Sequence, residues 1–107
     1  MYKLSVITPD GKAFDGLVDW LSTLGVEGSL GILSRHVPML TLTKKSVLTI
    51  RQNDIESYFV TGSGILEVGA NHDVVFLTDQ ALPAQNRAEA QEKLSLVKRN
   101  KFCDSTK

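Results

Sequence analysis

The sequence predicts a small antiparallel β-sandwich followed by a single C-terminal α-helix. Short alternating or apolar runs recur about every 8–12 residues as far as residue 80, with turn residues between them, which is the spacing of sandwich strands. The connections are too short to hold crossover helices, which argues for antiparallel rather than parallel pairing. The chain also changes character once, near Pro83. Before it glycine and β-branched residues dominate; after it glycine is absent and Ala, Glu, Gln, Lys and Arg take over. That is an exchange of strand chemistry for helix chemistry. The expected organisation is a β-sandwich over residues 1–83 and a helix with a frayed tail over 84–107.

The first strand is expected over Tyr2 to Thr8, with Tyr2, Leu4, Val6 and Thr8 on one side and Lys3, Ser5 and Ile7 on the other. Pro9-Asp10-Gly11 supplies a turn and Phe14-Asp15-Gly16 a second bend. Leu17 to Leu24 reads as one strand with Trp20 as its large apolar residue. Gly25, Gly28 and Gly31 open the backbone around Glu27 and Ser29. Ile32-Leu33 and Met39 to Thr43 are further strands, joined through Ser34-Arg35-His36-Val37-Pro38. Val47 to Arg51, Ser57 to Thr61, Ile65 to Val68 and Val74 to Thr78 complete the set, punctuated by Gln52-Asn53-Asp54, Gly62-Ser63-Gly64 and a hairpin-type loop at Gly69 to Asp73. In the tail, Asn86 is the expected N-cap, with Glu89 completing a capping box. Ala90, Leu94 and Val97 make a narrow apolar stripe, and Glu89 with Lys93 is a favourable i, i+4 pair. The helix is expected to end near Asn100 or Lys101, with Cys103 to Lys107 frayed.

Composition excludes several functions. The chain has 107 residues, with 12 Lys and Arg balanced by 12 Asp and Glu. A general nucleic-acid binder should carry a basic excess. The single cysteine, Cys103, cannot form an internal disulfide, which fits a reducing compartment. Met1 to Leu4 runs straight into the strand pattern, so no signal peptide is expected. No apolar run approaches the ~20 residues of a membrane-spanning helix, so any membrane association must pass through a partner.

No catalytic constellation emerges. Gly62-Ser63-Gly64 fails as a nucleophile elbow, because Thr61 and Ile65 stand where glycines are needed. It fails as a dinucleotide fingerprint because Glu67 replaces the third glycine and a strand follows. A bulge or tight strand junction is the expected role. Gly25, Gly28 and Gly31 lack the Gly-Lys-Ser/Thr of a phosphate loop. They serve either an unusual backbone path or a rigid loop presenting Glu27 and Ser29 to a partner. His36 and His72 have no zinc-type companions. His72 is expected to be solvated, and His36, in an exposed connection, to be the better contact. The carboxylates are scattered, and Lys44-Lys45 and Arg51 read as solvated turn or edge charges. No catalytic residues, metal ligands or cofactors are therefore expected, which favours a binding or structural role.

Four stretches, in order, carry a resemblance to a known family. They are Val6-Ile7-Thr8-Pro9-Asp10-Gly11 leading to Phe14-Asp15-Gly16; Gly25-Val26-Glu27-Gly28-Ser29-Leu30-Gly31 through Ile32-Leu33-Ser34-Arg35 to His36-Val37-Pro38; Val47 to Arg51; and Tyr58 to Val68 with Asn71 and Val74 to Thr78 after it. Together they cover about three quarters of the sequence and resemble the epsilon subunit of F-type ATP synthases. The resemblance implies a ten-stranded sandwich and a non-catalytic rotor subunit of the central stalk. Such a subunit links the gamma subunit to the membrane c-ring and helps couple ion flow to ATP synthesis. It implies a c-ring-facing loop at Glu27, Gly28 and Ser29 and gamma-facing positions at Thr8, His36 and Thr41. It places the protein at the cytoplasmic face of the bacterial membrane, held there by partner subunits without direct insertion. The alternative from the residues alone is a free-standing β-sandwich adaptor unrelated to ATP synthesis.

Departures from the family pattern modify these expectations. Ser29 stands where many members carry an acidic residue, and Ser34-Arg35 replaces a frequent Pro-Gly, so Arg35 could add a charged contact. The family's ATP motif, Ile/Leu-Asp-x-x-Arg-Ala, is matched only at Arg87-Ala88, with Pro83 and Ala84 in its first two places. Members usually carry two C-terminal helices, of which one is expected here. Weak or absent ATP binding and little tail-mediated inhibition of ATP hydrolysis are expected.

Overall fold

The computed structural model describes residues 1–34 and 36–95. Ten strands and one helix follow one another: β1 (Tyr2–Thr8), β2 (Gly11–Val18), β3 (Trp20–Gly25), β4 (Gly28–Leu33), β5 (Met39–Thr43), β6 (Ser46–Gln52), β7 (Ile55–Thr61), β8 (Gly64–Val68), β9 (Val74–Thr78), β10 (Ala81–Ala84) and α1 (Arg87–Leu94). The strands form two layers. One runs β10-β7-β6-β3-β4 and the other β5-β8-β9-β1-β2. They are joined where β3 meets β5 through the single pair Gly25 and Thr43. Pairing is antiparallel throughout, except that β1 and β9 run parallel from Leu4 beside Val74 to Ile7 beside Leu77.

The alternation in the sequence becomes the inner face. Tyr2, Leu4 and Val6 of β1 are buried, with Leu66 and Val68 of β8 and Val74 and Phe76 of β9. Leu21, Ile32, Leu48 and Ile50 oppose them from the other layer. Phe14 packs against this core and meets Phe59 edge-on, with ring centroids 6.2 Å apart. The Tyr2 hydroxyl donates to the Ile32 carbonyl across the layers at 2.6 Å. Burial pushes its pKa far up, so it stays neutral.

Three sequence readings are corrected in detail. Leu17 to Leu24 is two strands: β2 ends at Val18, and Asp19 donates its backbone N–H to Arg51 as the chain enters the other layer. Phe14-Asp15-Gly16 is no bend but lies inside β2, and the irregularity there is a register shift between Val6 and Ile7. Ala81–Ala84 is a tenth strand, paired with β7. Pro83 hid it from the sequence pattern, yet an edge strand needs no donor on its free side. The Gly62-Ser63-Gly64 stretch is a tight junction between β7 and β8. A Cβ on Gly64 would run into the Leu77 carbonyl.

The helix begins as read. Asn86 caps it, its side chain accepting from the Glu89 N–H at 2.8 Å. Glu89 pairs with Lys93 at 3.1 Å, and the Lys93 ammonium also donates to the Pro83 carbonyl at 2.9 Å. Ala90 and Leu94 pack on Val60, Val47, Tyr58 and Ala84, so α1 lies against the outer face of the β7–β6 layer. Val97, the expected end near Asn100 or Lys101, and the frayed Cys103–Lys107 lie outside the described residues, as does Arg35.

Gly64→Ala should cost about 1–3 kcal/mol, because the neighbouring strand backbone must move; urea unfolding would show this as a lowered midpoint. Thr43 Oγ1 is buried without a protein partner among the described residues. Thr43→Val should therefore stabilise the fold by about 1 kcal/mol, read in the same titration.

Candidate functional site

The strand directions sort the turns onto two ends of the sandwich. One end carries the turns after β1 (Pro9, Asp10), β3 (Val26, Glu27), β5 (Lys44, Lys45), β7 (Gly62, Ser63) and β9 (Asp79, Gln80). The opposite end carries Ser34, the stretch from His36 to Pro38 and the loops at Asn53-Asp54 and Gly69 to Asp73. The glycine-rich stretch is tighter than a loop. Gly25 and Gly28 pair directly, leaving Val26 and Glu27 as a two-residue turn between β3 and β4. Gly28 holds φ +130°, which a side chain would strain. Glu27, Gly28 and Ser29 are all exposed at the tip. The hairpin is anchored to the other layer, because Val26 N–H donates to the Leu42 carbonyl and Lys44 N–H to the Leu24 carbonyl.

The three expected gamma-facing residues do not form one cluster. Thr41 lies on β5 beside that hairpin; a Cβ on Gly25 would stand 3.8 Å from its Oγ1. It is half-buried, on the same side of β5 as the buried Thr43. Thr8 closes β1 at the same end, its hydroxyl donating to the Gly11 carbonyl and accepting from Asp10 N–H. His36 is at the opposite end, three residues before β5 begins at Met39. Its Nδ1 lies 2.8 Å from the Val37 carbonyl, and His72 Nδ1 lies 3.2 Å from the His36 carbonyl. Each ring therefore acts as a donor there, and His72, expected to be only solvated, braces the His36 backbone.

The outer faces of the two layers differ. On the β6–β7 layer, α1 covers Val47, Tyr58 and Val60. A polar ladder continues from it: Arg87 lies 5.9 Å over the Tyr58 ring, the Tyr58 hydroxyl donates to Glu56 at 2.7 Å, Arg51 pairs with Glu56 at 2.8 Å, and Arg51 lies 5.2 Å over Trp20. Arg87 also lines a groove of about 290 Å³ with Ser22, Ser29, Lys45, Thr49 and Gln91. On the other layer nothing among the described residues covers the outer face. Leu42, Ile65, Leu77 and Ile7 lie in register across β5, β8, β9 and β1. Leu42 is 56% exposed, Ile65 38%, Leu77 46%, and Leu40 in the next row 68%. A contiguous apolar band of this kind marks a docking face rather than scattered surface residues.

Sequence reading missed this band. Its signal was only partial: β9 is largely apolar in both phases, as in strands covered on both faces, whereas β5 sets Leu40 and Leu42 against Met39, Thr41 and Thr43. Without the layer assignment, nothing said which phase pointed outward.

The family model for the β-sandwich domain of the ATP synthase delta/epsilon chain matches residues 1–84. The chain belongs to that family. It is accordingly an accessory chain of an ATP synthase, with no catalytic role of its own. The ATP synthase epsilon chain of Alkalihalophilus pseudofirmus is 29% identical over 99 residues, spanning 83% of this chain and 74% of the relative. A chain of the Euglena gracilis mitochondrial ATP synthase, solved with OSCP, F1 and c-ring, superposes with a TM-score of 0.73 at 16% identity, covering 89% of this chain and 74% of the other. One from the central stalk and c-ring of the Tetrahymena thermophila enzyme gives 0.68 at 18%, covering 98% and 84%. At these identities the two superpositions speak for the fold alone. The ten-stranded sandwich implied by the resemblance is the fold observed.

The polar ladder sets an acid dependence. Hydrogen bonds from Arg51, and then from the Tyr58 hydroxyl, hold the Glu56 carboxyl below its usual range; Lys93 does the same for Glu89 and Lys12 for Asp15. A carboxyl whose pKa is lowered by folding stabilises the fold above its unfolded value and loses that contribution as pH falls through the folded one. Thermal melts should therefore weaken as pH drops from neutral to below 4.5, the ordinary glutamate value, and Glu56→Gln should flatten that slope.

Proposed function

We propose that the chain is the epsilon-type rotor subunit of its ATP synthase, docking on the gamma subunit through the outer face of β5-β8-β9-β1 and meeting the c-ring through the Glu27 hairpin. The observation that carries this reading is the asymmetry of the two layers. One outer face is occupied by the protein's own helix; the other leaves Leu40, Leu42, Ile65 and Leu77 in water. A band of apolar residues across four strands fits a partner that stays bound while the pair rotates. A standard interface would bury on the order of 800 Å² on each side. Thr8 and Thr41 lie toward the hairpin end, in the inward phases of β1 and β5, and His36 lies toward the far end. The three residues therefore belong to the margin of the gamma contact rather than its centre.

The hairpin suits the ring contact for a mechanical reason. Its tip is two residues long, its base is hydrogen-bonded to both layers, and Gly28 lets the backbone turn sharply. A rigid, narrow tip transmits load with little bending. Among the described residues, no helix is long and apolar enough to cross a membrane. On the rotor reading, attachment runs through partner subunits, at the cytoplasmic face of a bacterial membrane. Pro83 and Ala84, in the first two places of the ATP motif, are committed to β10 against β7. Their placement in a strand supports weak or absent nucleotide binding.

Leu42→Arg and Ile65→Arg should each weaken binding to purified gamma subunit at least tenfold, about 1.4 kcal/mol, while far-UV circular dichroism stays unchanged. Full-strength binding by both variants would overturn the docking face. His36→Ala should cost no more than about 1–2 kcal/mol, as befits a marginal contact. Removing residues 86–107 should leave gamma affinity within a few-fold of the full chain, because α1 covers the opposite layer.

A further inference from the structure

The strands hold three carboxylates: Asp15 in β2, Glu56 in β7 and Glu67 in β8. Two of them have a base from the chain itself. The Lys12 ammonium stands 3.1 Å from Asp15, which also accepts from the Ser5 hydroxyl, and Arg51 stands 2.8 Å from Glu56. Glu67 makes no hydrogen bond or ion pair among the described residues.

Glu67 is also the carboxylate that stands inside the apolar band. Its chain neighbours Leu66 and Val68 are buried, so its own side chain lies in the outward phase of β8 and is exposed. Leu40 is its partner in register on β5 and Val75 on β9, while Leu42, Ile65 and Leu77 fill the next outward row. The row of Glu67 runs on through Ser5 of β1 to Asp15 of β2. At about 4.8 Å between strands, the paired acid is roughly 14 Å from the unpaired one. Beside Glu67 the surface sinks into a hollow of about 310 Å³ that Lys3, Ser5 and Asp73 also line. Asp73 is engaged there, accepting from the Asn71 amide and the Lys3 backbone N–H, and Ser5 is committed to Asp15. The charge of Lys3 acts on Asp15. The Glu67 carboxylate is the acceptor left open in the hollow.

Water satisfies that carboxylate while the face is free. Once a partner covers Leu40, Ile65 and Val75, the water leaves, and a carboxylate without a counter-charge opposes the contact. Interface cores are poor in charged residues for this reason, and those they keep are paired.

We infer that Glu67 is a specificity residue of the gamma contact, and that the partner sets a basic side chain into this hollow against its carboxylate. The inference rests on the proposed docking of gamma on this face and names the chemistry near its centre. The apolar rows supply area without direction. One charge pair desolvated among them fixes how the partner lies and rejects a surface that offers no cation there.

The test is the affinity of purified gamma subunit for four variants: Glu67→Gln, Glu67→Lys, Leu42→Arg and Glu92→Gln. Glu92 is exposed on α1, against the other layer, so its variant removes the same charge away from the contact. Glu67→Gln should weaken binding at least tenfold and Glu67→Lys at least a hundredfold, with Glu92→Gln within twofold of the parent chain. The thermal midpoint of Glu67→Gln should match the parent, because the fold loses no bond; a lowered midpoint would overturn the premise of an open carboxylate. Weak binding by Leu42→Arg with full-strength or tighter binding by Glu67→Gln would overturn the charge pair and leave the docking face standing. Full-strength binding by all four would overturn both. Equal losses from Glu67→Gln and Glu92→Gln would show an effect of net charge alone and overturn the local pairing.

Discussion

The structure depends on one strand serving two layers. β3 pairs with β4 along its whole length, with β6 at Trp20 to Ser22 and with β5 at Gly25. This sharing turns the β-sheet over on itself, brings Leu21 and Ile32 onto Leu4, Leu66 and Phe76, and closes a core with no helix in it. It also fixes the exposed hairpin. The turn at Val26 and Glu27 grows from the strand that both layers hold, so it inherits the stiffness of the whole body.

The two outer faces then divide the work. The chain spends its short helix on the β6–β7 face, where Ala90 and Leu94 cover Val47, Tyr58 and Val60. An 8-residue helix is too short to persist alone in water. It is held by its Asn86 cap, by Lys93 reaching the Pro83 carbonyl and by Arg87 resting on Tyr58. The opposite face carries the apolar band. A body with its core complete, one face covered and one face apolar is built to be half of something larger. Its ends differ as well: the end beneath Glu27 is knitted by hydroxyls, while the far end is held by loop bonds such as Gly69 to Asp73 and His72 to His36.

Much of this was legible from the residues. Tyr2, Leu4 and Val6 announced an inner face by alternation, and the Asn86 and Glu89 spacing announced the helix start. The ordered motifs named the family, because glycines and prolines at fixed places encode turns that other residues cannot make. Strand boundaries were less legible. Asp19 divides two strands without Gly or Pro, because the break is imposed by a change of layer rather than by local backbone preference. Pro83 concealed a strand because edge position, which excuses the missing donor, is a property of the assembled sheet.

The sequence by itself determined the class of fold, the absence of a catalytic constellation and the family, since all three follow from residue types and their local spacing. Only the tertiary structure decided which phase of β5 and β9 faces water, that Thr41 lies beside the Glu27 hairpin while His36 lies toward the other end, and that five turns share one end of the sandwich. Those facts depend on strand order and register. Register is settled by pairing across distant parts of the chain, where a shift of one residue exchanges the two faces of a strand.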